Sequence, residues 1–548
     1  MELLQVENLN FTYPGSREKA LNGVSFSLEP GSFTLLMGAS GSGKTTLLQI
    51  LKKEIAPFGE KSGSLRLGDR SLEEAATDRI GYVAQSPESQ IVTDRVWHEL
   101  AFGAENMGLE SEEIRLRVGE TASYFGIGEW YHRHPDTLSG GQKQLLNLAS
   151  VMVMRPEMIL LDEPTAQLDP IAAANFIATL KKINRELGVT VLISEHRLEE
   201  CFPAADRVLV LEKGRLIAGG TPKEVCFALR GHPLFAALPS AARIWRSLGS
   251  KGECPLTVKE GREFLHRFFP TALGKTETEP FTESAAAVEL QSVSFRYDRT
   301  APDVVREMSL RVNSGEIFAV LGENGSGKST TLRLIAGLSK PYTGSCRVFG
   351  KTISQYKGNS LYRELLVFLP QDPTALFLEN TVEDDLRESF RLMGKPREEY
   401  PECAAKWIDL FEIAPLLNRH PYDLSGGEQQ KCALVKLLMR APKILLLDEP
   451  TKGLDAAFKQ KLVQALHVLR QEGMTVIMVT HDVEFAADTA DRCGLLFDGK
   501  VLAVEQPNRF FAGNMFYTTA AARMARGKFE NTVRCAEITA LCKGKAEI

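Results

Sequence analysis

None of the nine cysteines in this 548-residue chain forms a C-x-x-C pair. A zinc knuckle or a disulfide framework is therefore not expected, and a reducing compartment fits best. No apolar run approaches the length of a bilayer-spanning helix, about 18 residues. The first five residues, Met1 to Gln5, are not a basic stretch leading into an apolar one. These gaps predict a cytoplasmic chain that crosses no membrane by itself. Positive charge is not in excess either: 65 Lys and Arg stand against 70 Asp and Glu, a net charge of −5. That balance weighs against a nucleic-acid binder gripping phosphates over a wide face. What remains is ordinary, 44% hydrophobic and 25% charged residues, enough to build sizeable cores and to exclude global disorder. At roughly 150 residues per domain, the length predicts three or four domains.

An internal repeat replaces that count with an organisation. Gly38-Ala39-Ser40-Gly41-Ser42-Gly43-Lys44-Thr45 returns as Gly322-Glu323-Asn324-Gly325-Ser326-Gly327-Lys328-Ser329, an offset of 284. Leu138-Ser139-Gly140-Gly141 returns as Leu424-Ser425-Gly426-Gly427, and Leu160 to Thr165 returns as Leu446 to Thr451, both at 286. So small a drift means that a whole domain is duplicated with almost no insertion. Short apolar runs at 32–37 and 317–321 lead through Gly-rich turns into helices expected to begin near Lys44 and Lys328. Further buried strands are expected at 158–161, 189–194, 444–447 and 475–480. Strands alternating with helical stretches predict parallel α/β sheets.

The predicted domains are 1–230 and 286–515. Residues 231–285 carry seven basic and six acidic residues and no repeated motif, and are expected to be a partly structured linker with a polar Lys275 to Glu283 run. Residues 516–548, with six basic and three acidic residues, are expected to be a solvated or frayed tail without a counterpart in the first copy.

The chemistry follows from the motifs. G-x-x-x-x-G-K-[ST] after a strand is a phosphate cradle, in which backbone amides and a helix N-terminus converge on the β- and γ-phosphates. Gly38, Ser40, Gly41, Ser42, Gly43 and Lys44 form one cradle; Gly322, Asn324, Gly325, Ser326, Gly327 and Lys328 form the other. Thr45 and Ser329 are the expected Mg²⁺ ligands, and Thr46 and Thr330 follow within the same turn. Asp162 and Asp448, ending apolar strands, are placed to hold the Mg²⁺ shell, and Glu163 and Glu449 to polarise an attacking water. Gln85 and Gln371 follow short strands, and their amides suit Mg²⁺ or the water. His196 and His481 suit the γ-phosphate. Taken singly, these four would more often be structural, but each recurs in register. Tyr13 and Tyr297 suit stacking on adenine, with a core aromatic as the plain alternative. Leu-Ser-Gly-Gly, taken alone, reads as a helix cap.

Together, in this order, the motifs resemble the ATP-binding cassette (ABC) ATPases, over about 230 residues in each copy. The resemblance implies two tandem P-loop nucleotide-binding domains of α/β class, each with a mainly parallel sheet and a helical subdomain, using ATP and Mg²⁺. It implies that the two cassettes pair within the chain, each signature segment capping the other's nucleotide. Lys44, Thr45, Gln85, Asp162, Glu163 and His196 would be closed by Ser425, Gly426 and Gly427. Lys328, Ser329, Gln371, Asp448, Glu449 and His481 would be closed by Ser139, Gly140 and Gly141. Neither copy has lost a key residue, so both are expected to hydrolyse ATP. The segments after the carboxylates, Ala166-Gln167-Leu168-Asp169 and Lys452-Gly453-Leu454-Asp455, depart from the commonest family form but keep their Asp.

Soluble cassette proteins of ribosomes or DNA repair carry a long charged linker, an N-terminal iron–sulfur cysteine cluster or zinc modules, none of which is seen. Gln85 to Gln90, Glu99 to Asn106 and Ser194 to Glu200 look like the energy-coupling-factor (ECF) group, importers of vitamins, vitamin precursors, or cobalt and nickel ions. That resemblance implies a peripheral ATPase on the cytoplasmic face of the membrane. Its partners would be a transmembrane coupling subunit, which it grips by short Arg-bearing helices, and a substrate-binding subunit, with no nucleic acid involved. Glu88 and Asp372 are candidates to line the two grooves, with solvated loop acids as the alternative. The other readings are the ATPase of a tandem sugar-type transporter and a soluble ATPase acting on ribosomes.

Overall fold

The computed structural model describes residues 2–544 except 279, 280, 283, 359 and 395. Part of the Lys275 to Glu283 run and the last four residues of the chain lie outside the described residues. The chain forms two compact units, residues 1–246 with 250–257 and residues 247–249 with 258–548.

In the first unit, Leu4–Thr12 turns Leu4, Val6, Leu9 and Phe11 into the core and pairs antiparallel with Leu21–Leu28 and Glu60–Leu67. Beside this small sheet stands a six-stranded one in the order Arg215–Gly220, Arg207–Glu212, Phe33–Met37, Thr190–Ser194, Met158–Asp162, Ile80–Val83. Only Arg215–Gly220 runs antiparallel. Phe33–Met37, Met158–Asp162 and Thr190–Ser194 are buried at every position, as strands covered on both faces must be. Because neighbouring strands are parallel and in register, their carboxyl ends share one edge. Asp162 lies opposite Ser194, and Leu36 pairs with Ser194 from the other side. Such an edge is where ligands bind in open parallel sheets. Three helices, Val96–Asn106, Ser111–Tyr124 and Gly140–Val153, build a separate core around Val96, Leu100, Ala104, Val118, Leu146 and Ala149.

The second unit repeats the plan. Its large sheet has the order Leu366–Leu369, Ile444–Asp448, Thr475–Val479, Ile317–Leu321, Arg492–Phe497, Lys500–Glu505, with only the last strand antiparallel. Ala286–Phe295 pairs antiparallel with Val305–Asn313 and Thr343–Val348. Helices Val382–Leu392, Tyr400–Phe411 and Gly426–Leu438 pack around Leu386, Phe390, Trp407, Phe411, Leu434 and Leu438. The α/β class with parallel sheet cores is therefore as the motifs implied.

The linker and the tail differ from expectation. Helix Ser240–Ser247 belongs to the first unit, burying Ala241, Ala242, Ile244 and Trp245. Its first amide, Ser240 N, donates to Glu199 Oε1 at 2.7 Å. In the second unit, Ala520–Ala525 begins in the same way, with Ala520 N donating to Glu484 Oε1 at 2.8 Å. Glu199 and Glu484 each stand three residues after the repeated histidine, so the tether is the same in both copies. The duplication thus runs past the last shared motif, and the tail has a counterpart inside the supposed linker. Nor are the described residues of the tail frayed: Thr519, Val533 and Ile538 are fully buried. Helix Val258–Phe268 joins the second unit, where Arg262 donates to the Arg523 carbonyl at 2.6 Å, and Gly274–Lys275 pairs parallel with Phe529–Glu530. The charge count could not show this, because the buried residues of the tail are mostly small or polar, such as Thr518 to Ala522, and even Lys528 and Glu537 are buried.

Candidate functional site

Each unit carries one candidate site on the carboxyl edge of its large sheet. In the first, the turn after Phe33–Met37 is shaped by glycine. A Cβ on Gly38 would stand 2.2 Å from the Leu211 carbonyl oxygen, and Gly43 adopts a φ of 101° against the Ala20 carbonyl. Lys44 opens helix Lys44–Leu51 and folds back, its Nζ donating to the carbonyls of Gly38 and Ala39, both at 3.1 Å. Buried Ser42 has no hydrogen-bond partner for its Oγ. A buried hydroxyl left without a partner costs on the order of 1–3 kcal/mol, which a ligand oxygen would recover. The second turn matches: a Cβ on Gly322 would lie 2.3 Å from the Leu496 carbonyl, Lys328 Nζ donates to Gly322 and Glu323 carbonyls at 3.0 and 2.9 Å, and Ser326 Oγ is likewise buried and unpartnered. Both turns therefore fit a polyphosphate.

The acids converge on these turns. Asp162 is buried and accepts from Ser194 Oγ at 2.7 Å. Burial, then the adjacent Glu163, pushes its carboxyl above the usual range. Asp448 accepts from Ser329 Oγ at 3.0 Å and is pushed up to about 6, chiefly by burial. Glu163 and Glu449 hold left-handed backbones, φ 44° and 52°, which turn each side chain off the strand end. Glu163 Oε1 lies 2.9 Å from His196 Nε2, and Glu449 Oε1 2.8 Å from His481 Nδ1, close contacts that become ion pairs when the imidazole is protonated. Burial alone would raise both glutamates, but His196 with Lys44, and His481 with Lys328, more than offset it and hold them below the ordinary value. Both glutamates are thereby held ionised, the form that accepts a hydrogen bond from a water.

The remaining candidates are less alike. Gln85 Nε2 donates to Glu163 Oε2 at 2.9 Å, whereas exposed Gln371 makes no hydrogen bond among the described residues. The Tyr13 hydroxyl bonds Thr46 Oγ1 and the Tyr297 hydroxyl bonds Thr330 Oγ1, each at 2.9 Å. Both rings keep an exposed face, at 39% and 59%, so neither is a core aromatic. Ser139 and Ser425 do cap their helices, in reciprocal capping boxes with Gln142 and Glu428, while the Gly140-Gly141 and Gly426-Gly427 pairs form the first turns. Among the described residues, neither signature segment is bonded to the acids of its own unit. Glu88 accepts from Lys143 Nζ of the first signature helix at 3.1 Å, and Asp372 caps its own short turn through Thr374 N at 3.0 Å. Asp169 and Asp455 cap the helices that follow them.

Three residues around the first site were given no role by sequence reasoning: Ser194, Glu195 and Arg197. A position-by-position comparison of the copies would have found them, since the second copy reads Val479-Thr480-His481-Asp482 in place of Ser194-Glu195-His196-Arg197.

The family model of the ABC transporter matches residues 21–166 and 305–452, one match on each phosphate turn and its acids. The chain belongs to the ABC transporter family. A Bacillus cereus protein named as an ABC transporter ATP-binding protein is 40% identical over 546 residues, covering 98% of each chain. The Bacillus subtilis protein YkoD, whose name assigns it to HMP/thiamine import, is 33% identical over 515 residues, covering 91% of each. A solved structure, cbiO1 from Clostridium perfringens, part of the ABC transporter complex cbiONQ, is 31% identical and spans 43% of this chain and 97% of its own, with a TM-score of 0.38. This tandem ABC protein is thus an ATPase and the ATP-binding component of an ABC transporter. Among its described residues, no helix is long and apolar enough to cross a membrane.

Proposed function

We propose that this protein is the energy-coupling ATPase of an ECF-type importer, working from the cytoplasmic face of the membrane through separate transmembrane and substrate-binding subunits. The observation that carries the hydrolytic part is the grouping of Lys, Asp, Glu and His at one sheet edge, twice in one chain. In this reading, Lys44 and Lys328 neutralise the phosphates, and the unpartnered Ser42 and Ser326 hydroxyls and the loop amides bind phosphate oxygens. Tyr13 and Tyr297 supply exposed ring faces for adenine. Thr45 with Asp162, and Ser329 with Asp448, would hold Mg²⁺, joined by Gln85 and Gln371; the ion would supply charge neutralisation on the phosphates. Glu163 and Glu449 orient the attacking water and accept its proton, and His196 and His481 hold the glutamates and reach the γ-phosphate.

The family resemblance of the motifs extends the proposal. Ser425, Gly426 and Gly427 would complete the first site, and Ser139, Gly140 and Gly141 the second, so that bound ATP draws the two cassettes together and hydrolysis lets them part. ATP and ADP would then select different states of one clamp. The import reading is supported by the relative named for HMP/thiamine import, which matches along nearly the whole chain. A vitamin or its precursor is the corresponding class of cargo.

Fractionation of cells tests the import reading. The protein is expected in the membrane fraction only when its hydrophobic subunits are co-expressed, and in the soluble fraction otherwise. Co-sedimentation with ribosomes, or indifference to the membrane subunits, would overturn it.

A further inference from the structure

The two sites differ most just around their histidines. In the first unit Glu195 is almost fully buried, at 2% exposure, and it is a carboxylate the hydrolytic scheme does not use. Its Oε1 accepts from Thr165 N at 2.9 Å and Thr165 Oγ1 at 2.7 Å, and its Oε2 accepts from His196 N at 3.2 Å. Thr165 stands two residues after Glu163, and its own carbonyl accepts from Leu168 N at 3.1 Å. On the other side of the histidine, Arg197 Nη1 donates to the Leu168 carbonyl at 2.7 Å. The two neighbours of His196 therefore grip the same segment, 165–168, which follows the glutamate His196 contacts.

Among the described residues, the second unit has no carboxylate bonded to Thr451, and His481 N donates instead to Glu449 Oε2 at 3.3 Å. Thr480, in place of Glu195, accepts at its Oγ1 from Asp482 N at 3.0 Å, and Asp482 Oδ2 accepts from Lys459 Nζ at 2.6 Å on the next helix. Thr451, the counterpart of Thr165, is buried and makes no side-chain hydrogen bond among the described residues.

We propose that Glu195 is a positioning residue for hydrolysis at the first site, fixing Glu163 and His196 relative to one another through Thr165, and that the second site operates without an equivalent. A buried carboxylate is costly unless it is fully bonded, and three donors from two segments are what make this one tenable. The geometry it holds is the 2.9 Å contact between Glu163 and His196, on which orientation of the attacking water depends. Its three donors, Thr165 N, Thr165 Oγ1 and His196 N, all belong to the first site, so its loss would be felt at that site first.

The inference rests on the proposed hydrolytic scheme, and the test separates the two. Turnover is measured in the full chain carrying Glu449→Gln, so that the first site is read alone. Glu163→Gln in that background must abolish the remaining turnover; if it does not, the scheme itself is wrong. Glu195→Ala in the same background is expected to lower kcat about tenfold to a hundredfold, as loss of one or two charge-assisted bonds would. KM for ATP should change less than about twofold, because the phosphate turn is untouched. Glu195→Gln keeps an acceptor for Thr165 and is expected to restore most of the lost kcat. In the reciprocal Glu163→Gln background, Glu195→Ala should leave the second site's turnover within about twofold. Thr165→Val, which removes one bond without emptying the pocket, should reproduce part of the Glu195→Ala effect and add little to it. An unchanged kcat for Glu195→Ala, or an equal loss in both backgrounds, would overturn the proposal while leaving the hydrolytic scheme intact.

Discussion

At the residue scale, the two sites show one chemistry built with different supports. Asp162 takes a hydroxyl from Ser194 on the neighbouring strand, whereas Asp448 takes one from Ser329 of the phosphate turn, its strand partner at the Ser194 position being Val479. Glu195 is the sharpest of these differences, and its burial has a consequence for stability. Burial is the largest influence on its carboxyl and raises it above the ordinary 4.5, the Thr165 bonds opposing. The folded state therefore binds a proton more readily than the unfolded one. Stability contributed by this group is present below pH 4.5 and is lost as pH rises through the raised folded value. Glu195→Gln has no such loss. The melting temperature of Glu195→Gln relative to the natural chain should rise as pH is increased from about 4.5 toward neutrality. A difference independent of pH would contradict the burial argument. The motif residues were legible because their spacing and identity repeat. Glu195 was quoted only within the Ser194 to Glu200 resemblance and given no role, because it repeats nothing in the second copy; the bonds it accepts are what give it one.

At the element scale, the apolar strands and the helices they feed were readable within a residue or two. The expected run at 444–447 is the strand Ile444–Asp448, and the helices expected near Lys44 and Lys328 start there. These runs lack polar alternation, and only a strand covered on both faces tolerates that. The small antiparallel sheets carry a weaker signal, since Glu60–Leu67 exposes most of its side chains. The C-terminal elements were misread for a different reason. What the copies share there is a carboxylate bonded to a helix's first amide, by Ser240 in one and Ala520 in the other, and this leaves no shared sequence. Arg534 anchors the last of them. Its guanidinium donates to the Ala487 carbonyl at 2.8 Å, to Asn508 Oδ1 at 3.1 Å and to Glu537 Oε1 at 2.6 Å. The helix Val483–Thr489, which follows His481, is thereby fastened to Cys535–Cys542. Arg534→Ala leaves the buried Glu537 without its cation, with only Asn508 Nδ2 and the amides of Val533 and residue 534 still donating to it, and is expected to cost on the order of 2–3 kcal/mol. Urea unfolding should show that loss, and limited proteolysis should cut first within residues 516–544. A variant as stable and as resistant as the natural chain would refute the anchoring role.

At the scale of the whole molecule, the chain is two copies of one α/β design, each extended by helices that close on the segment after its own histidine. The same duplication sets what hydrolysis should look like, because each copy holds a complete set of acids, histidine and lysine. The most direct measurement is steady-state ATP turnover by the full chain and by Glu163→Gln, Glu449→Gln and the double variant, with folding checked by melting temperature. Each single variant should retain a measurable fraction of turnover, and the double variant should lose at least about a hundredfold, a barrier increase of about 2.7 kcal/mol. A folded double variant that still turns over ATP at the natural rate would contradict the account.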